Sequence, residues 1–241
     1  MKEYGIYSPN FDRQKRSTNL IKIIVIHYTG MQSERESIIR LSNARSKVSS
    51  HFLINQNGKV YRMVQDNRIA WHAGKSCWGN YNNLNKNSIG IELVNKGHRF
   101  GYTNFTKQQI LSLVKICKIL IKRYKIKKNN IVGHSDIAPF RKIDPGEKFP
   151  WGYLAKKKIG IWHDYKPNFL RKFRKNKILK KDDEVKFFKN LNNIGYCFSF
   201  KKKFFLTKTL KAFQRHYRKE LINGLLDKEC LIIAQNLRKK L

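Results

Sequence analysis

Three short apolar runs in the first two thirds of the chain predict buried strands. LIKIIVIHYT at 20–29 and SIGIELVN at 88–95 have no regular polar face and are rich in β-branched residues, which is typical of strands covered on both sides. A shorter run, NIVGH, predicts a strand at 130–134. Each run carries or ends at a histidine or a glutamate: His27, Glu92 and His134.

The polar positions between these runs predict a hairpin and two helices. SSHFLINQNGKVYRMV at 49–64 has two apolar runs around an Asn-Gly pair, the strongest short signal for a hairpin turn. Apolar residues recur at helical spacing over 106–124, and Thr106 is a suitable N-cap. A weaker helical pattern covers 33–47. Strands interleaved with helices predict an α/β domain over residues 1–165.

The last third of the chain has a different pattern. Residues 166–180 are rich in Lys and Arg, lack Asp and Glu and contain a proline, so we interpret them as a basic linker. Three helical patterns follow and predict a small all-α module at 181–241. An aromatic stripe in this module is interpreted as its core: Phe187, Phe188, Phe198, Phe200, Phe204 and Phe205.

Charge and apolar content narrow the class of protein. The 241 residues include 52 Lys and Arg but 16 Asp and Glu, a formal net charge of +36, and the last 76 residues are about twice as basic per residue as the rest. With 41% apolar residues a sizeable core is possible. The charge favours contact with a polyanion, such as an anionic wall polymer, a membrane surface or nucleic acid. Alternatively, it is compositional drift without a dedicated partner. No protein partner is indicated.

Cysteine spacing and the N-terminal composition bear on the compartment. The four cysteines form no CxxC pair, so no cysteine zinc knuckle is indicated and no disulfide is predicted from their spacing. Neither an apolar signal-peptide core nor an 18-residue apolar run is visible, so the cytoplasm is one expected location.

Five polar groups lie at the ends of predicted strands or in one proline-rich loop. His27 closes the first strand, Glu92 lies inside the second, and His134 closes the third; Lys142 and Asp144 follow in VGHSDIAPFRKIDPGEKFPW. Two imidazoles and one carboxylate form a common catalytic zinc set. Taken singly, each has another interpretation: a hydrogen-bonded histidine, a salt-bridged glutamate, or an Asp-Pro-Gly turn.

The ordered motifs IVIHYT, SSHFLINQNGKVYRMV, AWHAG, SIGIELVN and VGHSDIAPFRKIDPGEKFPW resemble the type 2 N-acetylmuramoyl-L-alanine amidases, which include AmpD-like and AmiD-like enzymes. The resemblance covers about residues 20–155. It implies a mixed central β-sheet flanked by helices. The helical module resembles the three-helix peptidoglycan-binding module often fused to these amidases, but CFSFKKKFF at 197–205 replaces the usual Gly/Asp-rich turn.

The resemblance implies roles for particular residues. His27, His134 and Asp144 would bind one catalytic Zn²⁺, Glu92 would be the catalytic acid and base, and Lys142 would stabilise the oxyanion. His72, in AWHAG, matches a position that lines the cleft, where it would contact substrate or be structural.

Two aromatic residues of a polar loop are weaker candidates. Trp78 and Tyr81 lie in CWGNYNNLN, where they would either stack on a sugar or pack the loop.

The expected function is therefore zinc-dependent hydrolysis of the amide between N-acetylmuramic acid and L-alanine, in peptidoglycan or (anhydro)muropeptides. Such work favours the bacterial cell envelope or periplasm. Two rivals remain at this stage: a non-catalytic peptidoglycan-recognition protein on the same fold, and a basic nucleic-acid-binding protein.

Overall fold

A computed structural model describes residues 2–176, 181–198 and 203–241. Its centre is a mixed six-stranded sheet in the order β1-β5-β4-β9-β3-β10. Two further two-stranded ladders join β2 to β6 and β7 to β8. The strands are β1 (Glu3–Gly5), β2 (Phe11–Asp12), β3 (Ile23–Tyr28), β4 (Phe52–Ile54), β5 (Val60–Arg62), β6 (Ile69–Ala70), β7 (Cys77–Trp78), β8 (Tyr81–Asn82), β9 (Ser88–Leu93) and β10 (Ile131–Gly133).

Helices flank the sheet and follow it in the chain. The helices in the described ranges are α1 (Glu34–Ser42), α2 (Gly97–Phe100), α3 (Lys107–Tyr124), α4 (His134–Ile137), α5 (Trp151–Lys156), α6 (Pro167–Arg171), α7 (Lys181–Ile194), α8 (Lys203–Tyr217) and α9 (Lys228–Arg238). Short 3-10 helices cover Thr18–Leu20, Ala44–Ser46, Leu84–Asn87 and Lys128–Asn130. The predicted α/β class is confirmed.

Short-range sequence patterns predicted the β4–β5 hairpin and the helices α1 and α3. The predicted hairpin forms as antiparallel β4 and β5, in which Ile54 pairs with Val60. Thr106 caps α3 by accepting a hydrogen bond from the Gln109 N–H, and the Gln109 side chain bonds back to Thr106. The weaker pattern at 33–47 becomes the nine-residue α1, because the backbone turns extended at Asn43.

Parallel pairing brings the polar strand ends to one edge. Strand β3 pairs in parallel with β9 on one side and β10 on the other, and His27 lies directly opposite Glu92. Because β10 ends at Gly133, opposite Ile26, the next residue, His134, lies beside His27. Buried α3 side chains, including Leu113, cover one face of this sheet.

The C-terminal helices pack into the same body as the sheet. Trp78, Tyr196 and Phe213 belong to one buried cluster that also contains Val25 of β3. Phe187 and Phe188 are buried in that cluster and Phe198 packs against it. Phe200 of the predicted stripe, and the side chains of Phe204 and Phe205, lie outside the described residues.

The predicted linker contains ordered structure up to residue 176. Helix α6 forms there, and Arg174 makes two hydrogen bonds of 2.8 Å to the carboxylate of fully buried Glu229 on α9. Residues 177–180 of that segment lie outside the described residues. The division into a domain at 1–165, a linker and a module at 181–241 stays a prediction.

Cys77 and Cys197 form a disulfide across 120 positions, which their spacing had not predicted. The bond joins β7, in the α/β part, to the segment after α7. Cys117 and Cys230 are free and buried.

None of the helices in the described ranges has both the length and the apolar character needed to span a membrane.

Candidate active site

Three side chains converge at the carboxyl edge of β3 and β10. His27 Nδ1 lies 3.0 Å from His134 Nδ1, and each of these nitrogens lies 3.1 Å from Asp144 Oδ2. All three residues are buried. The structure therefore brings together the two histidines and the aspartate that were predicted as metal ligands, although their positions span 117 residues of chain.

The ring nitrogens pointing away from this triangle are already hydrogen-bonded. His134 Nε2 lies 3.2 Å from the Ala73 carbonyl oxygen, which can only accept, so the His134 proton lies on Nε2. His27 Nε2 lies 3.1 Å from His72 Nδ1. If both Nε2 atoms are protonated, both Nδ1 atoms present lone pairs to each other and to a carboxylate. Such an arrangement of acceptors suits a cation.

Electrostatics favour the protonation states that a cation requires. Burial and the neighbouring His134 lower the pKa of His27 to about 4. Burial opposes the ionisation of Asp144, but attraction and hydrogen bonds from His134 and His27 in their protonated forms outweigh it and hold the Asp144 pKa well below its usual range; a cation held between the two Nδ1 atoms would favour the ionised carboxylate in the same way. At neutral pH the triangle thus contains a neutral His27 and an ionised Asp144.

Hydrogen bonds and close packing hold the loop that carries Asp144 in place. The Ser135 N–H donates a 2.8 Å hydrogen bond to the Asp144 carbonyl. Gly133 lets Pro145 approach closely, because a Cβ there would lie 2.6 Å from Pro145 Cδ. Arg141 Nε donates to the Lys75 carbonyl at 3.1 Å. These contacts bring Asp144 back to His134, with only the four-residue helix α4 as regular structure between them.

Glu92 lines the same cavity as the triangle, and its carboxylate has no ion-pair partner among the described residues. Its Oε2 atom is buried without a hydrogen-bond partner. Burial, reinforced by the charge of Asp144 and opposed by Lys142, raises the pKa of Glu92 to about 8. A carboxyl group with this pKa can both accept and donate a proton near neutral pH.

A cavity of about 270 Å³ opens over these groups. Basic side chains from two directions reach it: Arg40 of α1, and Arg141 and Lys142 of the proline-rich loop. His72 and Trp71 also line it. The residues lining the cavity are His27, Tyr28, Thr29, Met31, Ser37, Arg40, Leu41, Val48, Ser49, Trp71, His72, Glu92, His134, Arg141, Lys142, Ile143 and Asp144.

The two aromatic candidates do not line this cavity. Trp78 is 1% exposed, its Nε1 donates to the Asn129 carbonyl, and its ring packs on Tyr196. The interpretation of Trp78 as a sugar-stacking residue is corrected, because no face of its ring is free for a ligand. Tyr81 pairs with Trp78 across β7 and β8 and packs against the same core, so it too belongs to loop packing.

The C-terminal helices support the turn that carries His134, which sequence reasoning had not predicted. Asp136, two residues after His134, accepts a 2.7 Å hydrogen bond from the Tyr196 hydroxyl and lies 2.7 Å from His216 Nδ1. Its Oδ2 also accepts from the Gly133 N–H. All three side chains are buried. A buried aspartate inside an apolar stretch was the available signal, but its partners lie 60 and 80 positions away.

Comparisons with known proteins agree with this geometry. Residues 16–147 match the model of the N-acetylmuramoyl-L-alanine amidase family. The chain is 37% identical over 238 residues to the N-acetylmuramoyl-L-alanine amidase AmiD of Escherichia coli, covering 91% of this chain and 83% of that protein. It is 36% identical over 164 residues to the 1,6-anhydro-N-acetylmuramyl-L-alanine amidase AmpD of Haemophilus influenzae, covering 61% of this chain and 86% of that protein.

Solved structures give the same relationship over nearly the whole chain. The complex of E. coli AmiD with its substrate anhydro-N-acetylmuramic acid-L-Ala-D-γ-Glu-L-Lys superposes with a TM-score of 0.81 at 35% identity, covering 95% of this chain and 92% of that chain. AmpDh3 of Pseudomonas aeruginosa superposes with a TM-score of 0.80 at 30% identity, covering 95% and 94%. The similarity therefore extends beyond the residues that the family model matches.

Proposed function

This chain belongs to the N-acetylmuramoyl-L-alanine amidase family, and we propose that it uses zinc to hydrolyse the amide between N-acetylmuramic acid and L-alanine in anhydro-muropeptides or peptidoglycan. The observation that carries the proposal is the buried triangle of His27, His134 and Asp144 beside an unpaired Glu92 in one cavity. The substrate class follows from the AmiD complex, whose ligand is an anhydro-muropeptide.

The donor set fits zinc. Zinc accepts imidazole nitrogens and carboxylate oxygens as ligands, and three protein ligands leave a fourth position for water or substrate. Zinc in this position would lower the pKa of a bound water and polarise a carbonyl group. His27 and His134 would supply Nδ1, and Asp144 would supply Oδ2.

Glu92 is proposed to move the protons. Its register opposite His27 directs its carboxylate into the same cavity. As a carboxylate it would take a proton from the attacking water, and as the acid it would return that proton to the departing L-alanine nitrogen. A pKa of about 8, raised by burial, supports both halves of this cycle.

Lys142 is proposed to stabilise the oxyanion of the tetrahedral intermediate. It lies two residues before Asp144 and lines the cavity, which supports a position for its ammonium beside the carbonyl of a bound substrate. Arg40 and Arg141 line the same cavity and would attract the carboxylates of the stem peptide.

The enzyme is proposed to work in the cell envelope. The Cys77–Cys197 disulfide supports this location, since disulfides persist in oxidising compartments. The net charge of +36 supports contact with an anionic polymer or membrane surface around the substrate.

The test is mass spectrometry of intact murein sacculi and of purified anhydro-muropeptides after incubation with the protein. We expect stem peptides beginning at L-alanine, lost after chelation and restored by Zn²⁺, and absent with Glu92→Gln. The ratio of the two substrates separates recycling from remodelling. A zinc-loaded protein that cleaves neither substrate would refute the proposal and favour a recognition role.

A further inference from the structure

His72 lies behind the metal triangle and bonds to one of its members. Its Nδ1 is 3.1 Å from His27 Nε2, and its Nε2 is 3.1 Å from Ser88 Oγ. His72 and Ser88 are both buried. Neither contacts the triangle atoms themselves, and the sequence indicated only that His72 lines the cleft or is structural.

The direction of each hydrogen bond in this row can be assigned from its far end. The Ser88 hydroxyl lies 2.6 Å from the Leu84 carbonyl oxygen, which can only accept, so Ser88 donates its single proton there. Ser88 Oγ must then accept from His72, which places the His72 proton on Nε2. In the neutral imidazole the other nitrogen, Nδ1, is an acceptor.

These hydrogen-bond directions also determine the tautomer of His27. Since His72 Nδ1 accepts, His27 Nε2 must donate, and the His27 proton lies on Nε2. His27 Nδ1 then has its lone pair, and this atom faces His134 and Asp144. The Leu84 carbonyl thereby sets the tautomer of His27 through two side chains.

The backbone holds His72 in place for this role. The N–H groups of His72 and Ala73 both donate to Asn85 Oδ1, at 3.2 and 2.7 Å. The ring rests on Gly90 of β9, where a Cβ would lie 2.4 Å from His72 Cγ. Only glycine at position 90 leaves room for the imidazole between the strand and His27.

We propose that His72 and Ser88 are positioning residues that fix His27 in the tautomer able to bind zinc through Nδ1. This inference rests on the proposed zinc site. Groups that orient metal-binding histidines commonly contribute about 10- to 100-fold to metal affinity.

The experiment measures the zinc dissociation constant of the full chain by competition with a chromophoric chelator. His72→Leu removes the acceptor for His27 and is expected to weaken zinc binding about 100-fold. Ser88→Ala leaves His72 free to reverse its tautomer and is expected to cost about 10-fold. His72→Asn keeps an oxygen acceptor near the Nδ1 position and should stay within about threefold of the parent.

Ser50→Ala is the matched control. Ser50 is as buried as Ser88 and also donates to a backbone carbonyl, that of Phe52 at 2.9 Å, but it makes no bond to a histidine. Its zinc affinity should equal that of the parent. The thermal midpoint of each metal-free variant reports general loss of structure separately.

The measured zinc affinities decide between this proposal and a merely structural role for His72 and Ser88. Weaker zinc binding in Ser88→Ala than in Ser50→Ala, with activity recovered at saturating zinc, supports the positioning role. Tighter zinc binding in His72→Asn than in His72→Leu supports it as well. Parent-like affinity in both Ser88→Ala and His72→Leu overturns it. Equal losses in His72→Asn and His72→Leu also overturn it. A parent protein that binds no zinc refutes the proposed zinc site instead.

Discussion

Replacing Glu92 by Gln should abolish turnover and yet stabilise the metal-free protein. Burial raises the pKa of Glu92 from 4.5 to about 8, so the folded state binds a proton more tightly than the unfolded state does. Below pH 4.5 both states are protonated and the carboxyl costs nothing. Between pH 4.5 and 8 unfolding releases a proton, so stability falls as the pH rises. Above pH 8 the full penalty applies.

The size of the effect follows from the same shift. Each pH unit is worth about 1.4 kcal/mol, so a carboxyl group moved from 4.5 to about 8 would cost about 5 kcal/mol if it were fully shielded. Glu92 lines the open cavity and is only partly buried as a whole residue, so solvent screening reduces this cost. We expect Glu92→Gln to gain about 2 kcal/mol at pH 8 and almost nothing at pH 4.5.

The assay is urea unfolding of the chelator-treated parent and variant at several pH values. Glu147→Gln is the control of opposite sign, since the hydrogen bond from His98 lowers the Glu147 pKa and its loss should destabilise the protein above that pKa. A Glu92→Gln variant that is no more stable than the parent at pH 8, or equally stabilised at both ends of the range, would refute the reasoning.

The other predictions concern the oxyanion site, the helical support and the disulfide. Lys142→Ala should keep bound zinc, measured by elemental analysis, but lower kcat by about 10²- to 10³-fold; retained turnover would remove Lys142 from the mechanism. Tyr196→Phe leaves Asp136 with one donor fewer and should lower the free energy of unfolding by about 1–3 kcal/mol, measured in urea; an unchanged value would mean that the bond does not support the turn. Cys77→Ser with Cys197→Ser should lower it by about 2–5 kcal/mol; equal midpoints with and without reductant would argue against the bond.

The predicted helical module is hydrogen-bonded to the segment that carries His134. Tyr196 and His216 both bond to Asp136, next to the turn that carries His134. Because all three groups are buried, deleting residues 181–241 would remove two of the three hydrogen-bond partners that the structure shows for Asp136, two residues from a proposed zinc ligand. Truncation is therefore a poor test of whether the module binds peptidoglycan, and point changes on its exposed faces are the better choice.

The sequence by itself determined the elements and the chemistry at their ends. Apolar runs fixed β3 and β9, the Asn-Gly pair fixed the hairpin, and Thr106 fixed the start of α3, because each signal acts within a few residues. His27, Glu92 and His134 could be grouped in advance, since parallel strands bring their carboxyl ends to one edge. The resemblance then supplied the roles that spacing could not.

Tertiary structure alone decided the contacts between distant parts of the chain. The polar loop around Trp78 did not indicate that its ring packs against Tyr196. Likewise, no local pattern indicated that Cys77 bonds to a cysteine 120 positions away. The directions of the hydrogen bonds made by Ser88 and His72 likewise depend on atoms that folding brings within 3.1 Å of each other. A hydrogen bond or a disulfide depends on distance in space, and hydrophobic periodicity fixes only the neighbours along the chain.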